Sequence, residues 1–534
     1  MSCCEYILPT CFARFSNNIE NISFLLTENY KQNMILPTKY CLVNGKGFLI
    51  IDFGKEYFGG LRISFGYNKY SCDKPFLRIR FGESLMEACS EINVKGSSND
   101  HSTRDMTVYM SAHSDMTWGS TGFRFARLDF LEDGEFQIEN IFLEFRHEKK
   151  PQLVFESSNK KLDEIMEAAL RTLWLNKQNG VFYESAKRDQ HIWAGDLYPE
   201  LLAALYSYSS RENIKNSINF IIENYPTPVW YNGIPSYNAW FVLTILRYFE
   251  LTGDVDNNYQ KCVKDNLQMF KGLIEKDFQV DEELWGASFL DWSTWQKESR
   301  KIGIKLLFIY TLQHVANSKY IDEEDQKFAG ELLKEVNKSS LKVTDSKPVN
   351  ALALLANELD KKQLLSQIKE NGAKDYTAFL SCFILEALAK NNELEFGYQT
   401  MLAYFGGMID IGGTTLFEEF DIDWLHNSCR LDEFPKDGQN DFHGDFGKDC
   451  FTGYRKSLCH AWSCGVIPFV IENVVGLKIK DGNIISFKPN LLDLDFINCS
   501  IPTSRGSIQV NLNKDKYDIN LPDGFVLEGD KYEK

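Results

Sequence analysis

The chain has 534 residues, enough for three or four domains of ordinary size. Hydrophobic residues make up 44% and charged residues 25%, a globular composition that excludes a disordered, collagen-like or coiled-coil chain as a whole. The formal net charge is -17, and such an acidic surface repels phosphate backbones. Because the sequence has no basic cluster either, we expect no nucleic-acid partner.

The 13 cysteines are scattered, and none has zinc-ligand spacing to a histidine or to another cysteine. Glycine-rich nucleotide loops are also missing, so we expect no metal and no cofactor. The first residues carry no basic segment followed by a long apolar run, and no uncharged apolar stretch is long enough to span a bilayer. We therefore expect a cytoplasmic protein with reduced thiols and no membrane segment.

Short strand-like runs fill the first 150 residues. The run 48–67 is interrupted by Gly59-Gly60, the run 124–132 ends at Asp133-Gly134, and 136–145 alternates apolar and polar residues. Such short strands between glycine, asparagine and aspartate turns predict an N-terminal β-sandwich over residues 1–150.

From Ser157 onward the apolar residues follow a helical period. They form one stripe in the first helical segment, at Leu162, Ile165, Met166, Ala169, Leu170 and Leu173. Roughly ten to twelve such segments follow without a clean sequence repeat, which argues against a solenoid. We predict a toroid of helical hairpins, an (α/α)6 barrel, over residues 151–475. Its longest irregular stretch, 421–456, is expected to be functional because long loops in compact domains usually are.

After Val475 the strand patterns return. They predict a small C-terminal β-sandwich over residues 476–534, packed on the barrel because so short a domain buries little core alone. The predicted fold class is thus a multidomain α and β protein, with a helical toroid between two β domains.

The segment 183–196 holds the densest set of reactive side chains. It carries three carboxylates, at Glu184, Asp189 and Asp196, among cations, a histidine and a tryptophan. A solvated loop with local ion pairs explains the charges equally well, but such a loop seldom needs a ring like that of Trp193.

Three further segments carry candidate residues, and each also has a structural explanation. The run 412–421 has two adjacent glutamates, which point differently, so at most one faces a given cavity. His460 follows a cysteine, but neighbours in sequence do not make a catalytic pair, and a hydrogen-bonded core histidine is the alternative. The run 289–295 places Asp291 between aromatic residues, as sugar sites and ordinary cores both do.

Two carboxylate centres on distant segments, with aromatic rings nearby, are what glycosidic cleavage requires. One carboxylic acid protonates the leaving oxygen, while the other carboxylate deprotonates water or attacks the anomeric carbon. A separation of roughly 6.5–9.5 Å between them favours inversion, and about 5–5.5 Å favours retention.

Over nearly its whole length the chain resembles the bacterial α-L-rhamnosidases of glycoside hydrolase family 78. The N-terminal motifs IDFGKEYFGGLRI, GESL, STRD and TGFRFARLDF resemble the β domain that precedes the catalytic barrel in that family. The later motifs KRDQHIWAGD, GGTTLFEEFD, SLCHAWSCG and IPTSRGSIQV resemble, in order, its Trp-x-Gly-Asp signature, its Thr-Thr-x-Trp-Glu segment, its histidine-bearing helix and its closing β domain.

The resemblance implies inverting hydrolysis of terminal α-L-rhamnosides. It makes Glu418 the general base, with Phe417 in place of the usual tryptophan. The implied substrate-binding residues are Glu184, Arg188, Trp193, Asp196 and His460, with Trp292 and Trp240 as aromatic walls of the sugar subsite.

The general acid departs from the family pattern. Many members carry Arg-Asp-Glu, whereas this chain has Arg188-Asp189-Gln190, and an amide is no proton donor. We predict Asp189 as the acid, because a proton donor is chemically required and burial can raise the pKa of an aspartate. Glu184 is the second candidate.

The expected protein is an intracellular, exo-acting α-L-rhamnosidase that takes small rhamnose-containing glycosides, and a homodimer is left open. Two alternatives stand beside it. One is a related hydrolase of another deoxysugar or of a uronic acid. The other is a sugar-binding protein without turnover, suggested by Gln190 and Phe417.

Overall fold

The computed structural model describes residues 3–27, 40–70, 76–100, 102–279, 289–294, 298–447 and 452–529. Its N-terminal part is a nine-stranded antiparallel sheet with the spatial order β3-β4-β9-β5-β8-β6-β7, in which β1 pairs with β9 and β2 with β5. The strands are β1 (Cys3–Ile7), β2 (Cys11–Phe15), β3 (Ile19–Glu20), β4 (Cys41–Asn44), β5 (Gly47–Tyr70), β6 (Leu77–Gly82), β7 (Asp105–Val108), β8 (Ser114–Phe130) and β9 (Gly134–His147). A short helix, α1 (Leu85–Cys89), follows β6.

Strand β5 runs through the glycine pair that the sequence suggests as an interruption. A Cβ atom on Gly59 would lie 1.9 Å from the carbonyl oxygen of Glu144, and one on Gly60 would lie 2.6 Å from that of Trp118. The pairing register shifts at this point. The glycines therefore allow two neighbouring strands to approach closely at a bulge, rather than ending the strand.

In the helical part, the first long helix begins at Lys160. The side chain of Asn159 accepts hydrogen bonds from the backbone N–H groups of Lys161 and Leu162, and so caps the first long helix. The elements of this part are β10 (Val154–Ser157), α2 (Lys160–Asn176), β11 (Lys177–Gln178), β12 (Val181–Phe182), α3 (Leu197–Ser207), α4 (Glu212–Asn224), α5 (Pro235–Thr252), α6 (Asn257–Glu275), α7 (Ser299–Ala316), α8 (Glu323–Glu335), α9 (Lys347–Leu355), α10 (Lys361–Lys369), α11 (Ser381–Lys390), α12 (Leu394–Asp410), β13 (Ser428–Cys429), β14 (Asn440–Asp441) and α13 (Val466–Phe469).

Alternate helices form a ring. Helices α3, α5, α7, α9 and α11 contact one another in that order, and the helical segment 461–474 contacts both α11 and α3. Helices α6, α8, α10 and α12 pack against members of this ring. In the part of the chain that the structure describes, no helix is both long and apolar enough to cross a membrane.

The C-terminal part forms two small sheets. The first has the order β10-β17-β18-β19 and the second β15-β16-β20. Their strands are β15 (Leu477–Lys480), β16 (Ile484–Phe487), β17 (Phe496–Thr503), β18 (Gly506–Asn513), β19 (Tyr517–Asn520) and β20 (Val526–Leu527). The predicted barrel boundary at residue 151 assigns β10 to the helical domain, whereas β10 pairs with β17.

Among the described residues, a small cluster of Ile50, Leu85, Ala88 and Phe125 accompanies two large hydrophobic cores. One is shared by the helices and the C-terminal sheets, and the other belongs to the N-terminal sheet. The second core includes Ala186 and Cys459, which lie in the segments with the candidate site residues. The N-terminal sheet thus packs directly on the backbone that carries those residues.

Candidate active site

The segment 184–196 is fixed by backbone hydrogen bonds to two other parts of the molecule. Ser185 and His460 form an isolated antiparallel bridge, and the N–H of Ala461 donates to the carbonyl of Glu184 over 2.8 Å. The N–H of Gly122 in β8 donates to the carbonyl of Ala186 over 2.8 Å. The sheet and the 457–465 segment therefore bring the predicted site residues together from distant positions in sequence.

Glu418 is the most strongly held carboxylate of the site. Nη2 of Arg188 donates to its two oxygens over 2.8 and 2.7 Å, and the N–H of Ser457 donates to Oε2 over 2.8 Å. Burial alone would raise its pKa, but Arg188 and the Ser457 N–H outweigh burial and lower the pKa below its usual value. Glu418 is therefore an ionised carboxylate at neutral pH.

The two residues predicted as catalytic meet at one guanidinium. While Nη2 of Arg188 binds Glu418, Nη1 binds the carboxylate of Asp189, and Nε donates to the carbonyl of Arg455 over 2.8 Å. Asp189 and Gln190 both adopt left-handed backbone conformations, with φ of 60° and 51°. This turn directs Asp189 back towards Arg188.

Burial raises the pKa of two other carboxyl groups of the segment, Glu184 and Asp196. Burial, together with the charges of Asp189 and Asp196, raises the pKa of Glu184 well above its usual value. Oε2 of Glu184 accepts a hydrogen bond from the N–H of His191 over 2.8 Å, and Oε1 is buried without a partner among the described residues. Burial raises the pKa of Asp196 to about 8, although the hydroxyl of Tyr237 donates to it over 2.9 Å.

His460 lies between Glu418 and Asp196. Its Nε2 is 4.0 Å from an oxygen of Glu418 and 4.0 Å from one of Asp196. Burial lowers its pKa to about 3, against the attraction of Glu418. The ring is therefore neutral, and its Nε2 is available either to donate or to accept a hydrogen bond.

Glu418 reaches a cavity of about 510 Å³. Among the described residues, three tryptophans line this cavity, Trp292, Trp424 and Trp462, together with Tyr376. The indole N–H of Trp462 donates to the carbonyl of Glu418 over 3.0 Å, so the ring is tied to the same residue. Aromatic rings around a carboxylate provide the apolar surface and the polar group that a sugar needs.

Trp240 does not form a wall of this cavity, so that prediction needs correction. Its ring is 0% exposed and packs against Tyr198, Phe379 and Phe383 on the inner side of α5. The apolar stripe of a buried helix explains this tryptophan, as core packing explains most of them. Trp193 is half-buried, with its ring centroid 6.2 Å from that of Tyr237.

Two cavity tryptophans were not identified from the sequence. Trp462 stands two residues after His460, so the histidine-bearing motif contains the signal for it. Trp424 lies in the irregular stretch 421–456, whose pattern does not indicate which residue faces inward. The side chains of Glu184, Asp189 and Asp196 are not among those lining this cavity; they lie close to Glu418, Arg188 and His460.

Glu83, Glu87 and His443 bring three possible ligand atoms within 4.8 Å of one another. The Nζ atom of Lys187 lies 2.7 Å from Glu87 and 3.3 Å from Glu83. A lysine ammonium thus already supplies the positive charge that a metal ion would bring to these carboxylates, and we assign no metal here.

Comparison with known proteins gives structural matches only. No family model and no curated protein matches the sequence. A rhamnosidase of glycoside hydrolase family 78 from Bacillus sp. GL1 is similar in structure, with a TM-score of 0.70 and 18% identity, over 95% of this chain and 56% of that one. An α-L-rhamnosidase from Dictyoglumus thermophilum gives 0.65 and 19%, over 93% and 59%.

A rhamnosidase from Klebsiella oxytoca, solved with rhamnose bound, has a TM-score of 0.67 and 17% identity, and covers 88% of this chain and 96% of that one. The chain thus spans less than two thirds of the length of the first two enzymes and nearly all of the third. At these identities the matches establish the fold. The chain has the multidomain α and β fold of solved α-L-rhamnosidases, one of which is a member of glycoside hydrolase family 78.

Proposed function

We propose that the protein is a glycoside hydrolase that releases terminal α-L-rhamnose from small rhamnosides with inversion. The observation that carries this proposal is Glu418, an ionised carboxylate held by Arg188 at a cavity lined by three tryptophans. The shared fold with solved rhamnosidases supports the same reading, and we interpret the ring of alternate helices as an (α/α)6 toroid.

The reaction follows from the two kinds of carboxyl group. Glu418 takes a proton from a water molecule, whose oxygen bonds to the anomeric carbon as the bond to the leaving oxygen breaks. The leaving oxygen takes a proton from a carboxylic acid on the other side of the sugar. Arg188, Asp196 and His460 bind sugar hydroxyls, with protonated Asp196 as a donor.

We propose Glu184 as the proton donor, ahead of the sequence-based candidate Asp189. A general acid must carry its proton at the working pH, and burial raises the pKa of Glu184, which favours the protonated form. Its Oε1 atom is also uncommitted among the described residues. Asp189, in contrast, accepts from the guanidinium of Arg188, an arrangement that suits a carboxylate which orients Arg188.

The first test is release of p-nitrophenol from its α-L-rhamnoside. Wild-type turnover that Glu418→Gln lowers by about 100- to 10,000-fold supports the proposal. NMR of the first product shows the β anomer of rhamnose if the configuration inverts. Rhamnose binding without any turnover would instead support the sugar-binding alternative, and faster turnover of another deoxysugar or of a uronide would favour the related hydrolase.

A second test identifies the acid by leaving group. p-Nitrophenolate leaves with little protonation, whereas a sugar alkoxide needs a full proton. Glu184→Gln is therefore expected to lose far more kcat on a rhamnosyl disaccharide than on the nitrophenyl substrate, while Asp189→Asn loses similar factors on both. The reverse pattern would assign the proton to Asp189.

A further inference from the structure

We propose that Glu83, from the N-terminal sheet, is a positioning residue for Glu418. It accepts hydrogen bonds from the Ser457 hydroxyl and the Leu458 N–H, and Ser457 in turn holds the Glu418 carboxylate. The proposal rests on the proposed function only in taking Glu418 as the base. Glu83 follows β6 in the GESL motif and is buried at the junction of the sheet with the helical domain.

A direct relay of hydrogen bonds links Glu83 to Glu418. Oε1 of Glu83 accepts from the hydroxyl of Ser457 over 2.9 Å, and Oε2 accepts from the N–H of Leu458 over 2.7 Å. Ser457 in turn donates its N–H to Oε2 of Glu418 and accepts from the N–H of Glu418 over 3.0 Å. Both backbone groups of Ser457 thus hold Glu418, while the Ser457 side chain is held by Glu83.

A second route leads from Glu83 to the guanidinium that binds the base. Nζ of Lys187 lies 3.3 Å from Glu83 and also donates to the carbonyl of Lys456 over 3.0 Å. Lys187 immediately precedes Arg188, so anchoring its ammonium fixes the start of the arginine side chain. Glu83 therefore acts on the two sources of hydrogen bonds to Glu418, Ser457 and Arg188.

The carboxylate itself is costly to bury, which argues against a packing role. Burial raises the pKa of Glu83 to about 7, although Lys187 and the hydrogen bonds from residues 457 and 458 oppose the shift. An apolar side chain would fill the same space without that desolvation penalty. The contacts of Glu83 converge on the neighbours of Glu418, as expected of a group that orients a reacting residue.

The test separates positioning from general stability. Glu83→Ala is expected to lower kcat at least about ten-fold on p-nitrophenyl α-L-rhamnoside with KM within about two-fold, since substrate contacts are intact. Glu83→Gln keeps one acceptor oxygen and should restore part of the loss. Asp129→Asn is the matched control, because Asp129 pairs with buried Arg80 inside the same sheet, 2.7 Å away. A Glu83→Ala variant with wild-type kcat, or with kcat, KM and melting temperature changed only as in the control, overturns the proposal.

A double-mutant cycle covers the case in which the alanine variant does not fold. Ser457→Ala removes the hydroxyl that donates a hydrogen bond to Glu83, but keeps the backbone N–H that donates to Glu418. We expect the losses of kcat in Glu83→Gln and Ser457→Ala to be non-additive, because both act on one contact. Additive losses would count against the relay.

A wild type that turns over no rhamnoside would overturn the proposed function, not the positioning. In that case a crystal structure of Glu83→Gln decides. Movement of the Ser457 N–H out of hydrogen-bond distance from Glu418 supports the relay, and an unchanged 457–458 segment with the wild-type Glu418 geometry overturns it.

Discussion

Arg188 controls the charge of the site through a single planar group. It binds the candidate base with one terminal nitrogen and Asp189 with the other, and its own position is held at Nε by a backbone carbonyl. A guanidinium suits this task because its donors have a fixed geometry and it stays protonated. A lysine at this position would supply the positive charge but not the fixed arrangement of donors.

Replacement of Arg188 should therefore change the pH dependence as well as the rate. In Arg188→Gln the pKa of Glu418 rises, because burial is no longer opposed by the guanidinium. The acidic limb of the kcat/KM profile should shift to higher pH, so that the loss of activity is larger at pH 5 than at pH 7. Arg430→Gln, at an exposed pair with Asp432, is the control. An unshifted limb would show that Arg188 does not set this pKa.

The two tryptophans Trp462 and Trp240 should respond differently to the same change. Trp462→Phe removes a cavity wall and the N–H bond to Glu418, so we expect a higher KM. Trp240→Phe leaves a void in a fully buried cluster, and should cost about 1–3 kcal/mol of unfolding free energy with KM unchanged. Steady-state kinetics and urea denaturation measure the two effects. A raised KM in Trp240→Phe would return that residue to the sugar subsite.

For single residues, the sequence shows which side chains can carry out chemistry more readily than it shows where those side chains point. Four candidates from the sequence lie close together in the structure: Glu184, Asp196, Glu418 and His460. Whether a tryptophan faces a cavity or a core depends on which helix face is inward, and both faces of α5 are apolar. The choice between Trp240 and Trp462 therefore required the tertiary structure.

Among the elements, the turn 188–190 is under local strain. Two consecutive non-glycine residues, Asp189 and Gln190, have positive φ, and the left-handed region costs an ordinary residue about 1–2 kcal/mol. The turn persists because the Arg188 side chain is held by both the carbonyl of Arg455 and the carboxylate of Glu418.

Substitution at Gln190 should test this strain directly. Gln190→Val is expected to lower the free energy of unfolding by about 1–2 kcal/mol, because a β-branched residue tolerates positive φ poorly. Gln190→Gly should be neutral or stabilising, since glycine adopts this conformation freely. Denaturation of both variants in urea provides the comparison. Equal stability of the two would mean that residue 190 is not left-handed in solution.

The periodicity of apolar residues indicated which segments form helices and which form strands. It did not indicate which strands pair with each other. The apolar stripe that starts after Ser157 indicated the helix α2, which spans Lys160–Asn176. Strand β10, by contrast, has only four residues, and its pairing with β17 involves a part of the chain more than three hundred positions away. No local pattern specifies so distant a neighbour. The sequence also did not indicate that β5 continues through Gly59. The strand that approaches this glycine is remote in sequence, so no local pattern shows the close contact.

For the whole molecule, buried acids should make stability depend on pH. The pKa values of Glu56, Glu184 and Glu200 are raised well above the usual value, mainly by burial, and that of Asp196 is raised to about 8. These groups hold protons in the folded state that the unfolded chain releases near pH 4. Their contribution to the free energy of unfolding is therefore fully present below about pH 4, and it is lost as the pH rises through the folded-state pKa values.

The unfolding free energy should accordingly be larger at pH 5.5 than at pH 8.5. Glu200→Gln should make this decline shallower, by up to about 1.4 kcal/mol per pH unit, because both oxygens of Glu200 are buried without partners among the described residues. Urea titrations at the two pH values supply the measurement, and an exposed substitution such as Glu212→Gln is the control. A decline as steep in Glu200→Gln as in wild type would exclude Glu200 as a source.

The pairing of β10 with β17 also has a consequence for biosynthesis. The ribosome makes β10 before the helices and β17 after them. The edge of β10 that pairs with β17 therefore stays unpaired until near the end of translation. Exposed edges invite pairing with other chains. Transcripts that end early, before the codons for Phe496–Thr503, should therefore give products that aggregate, however complete their helices are.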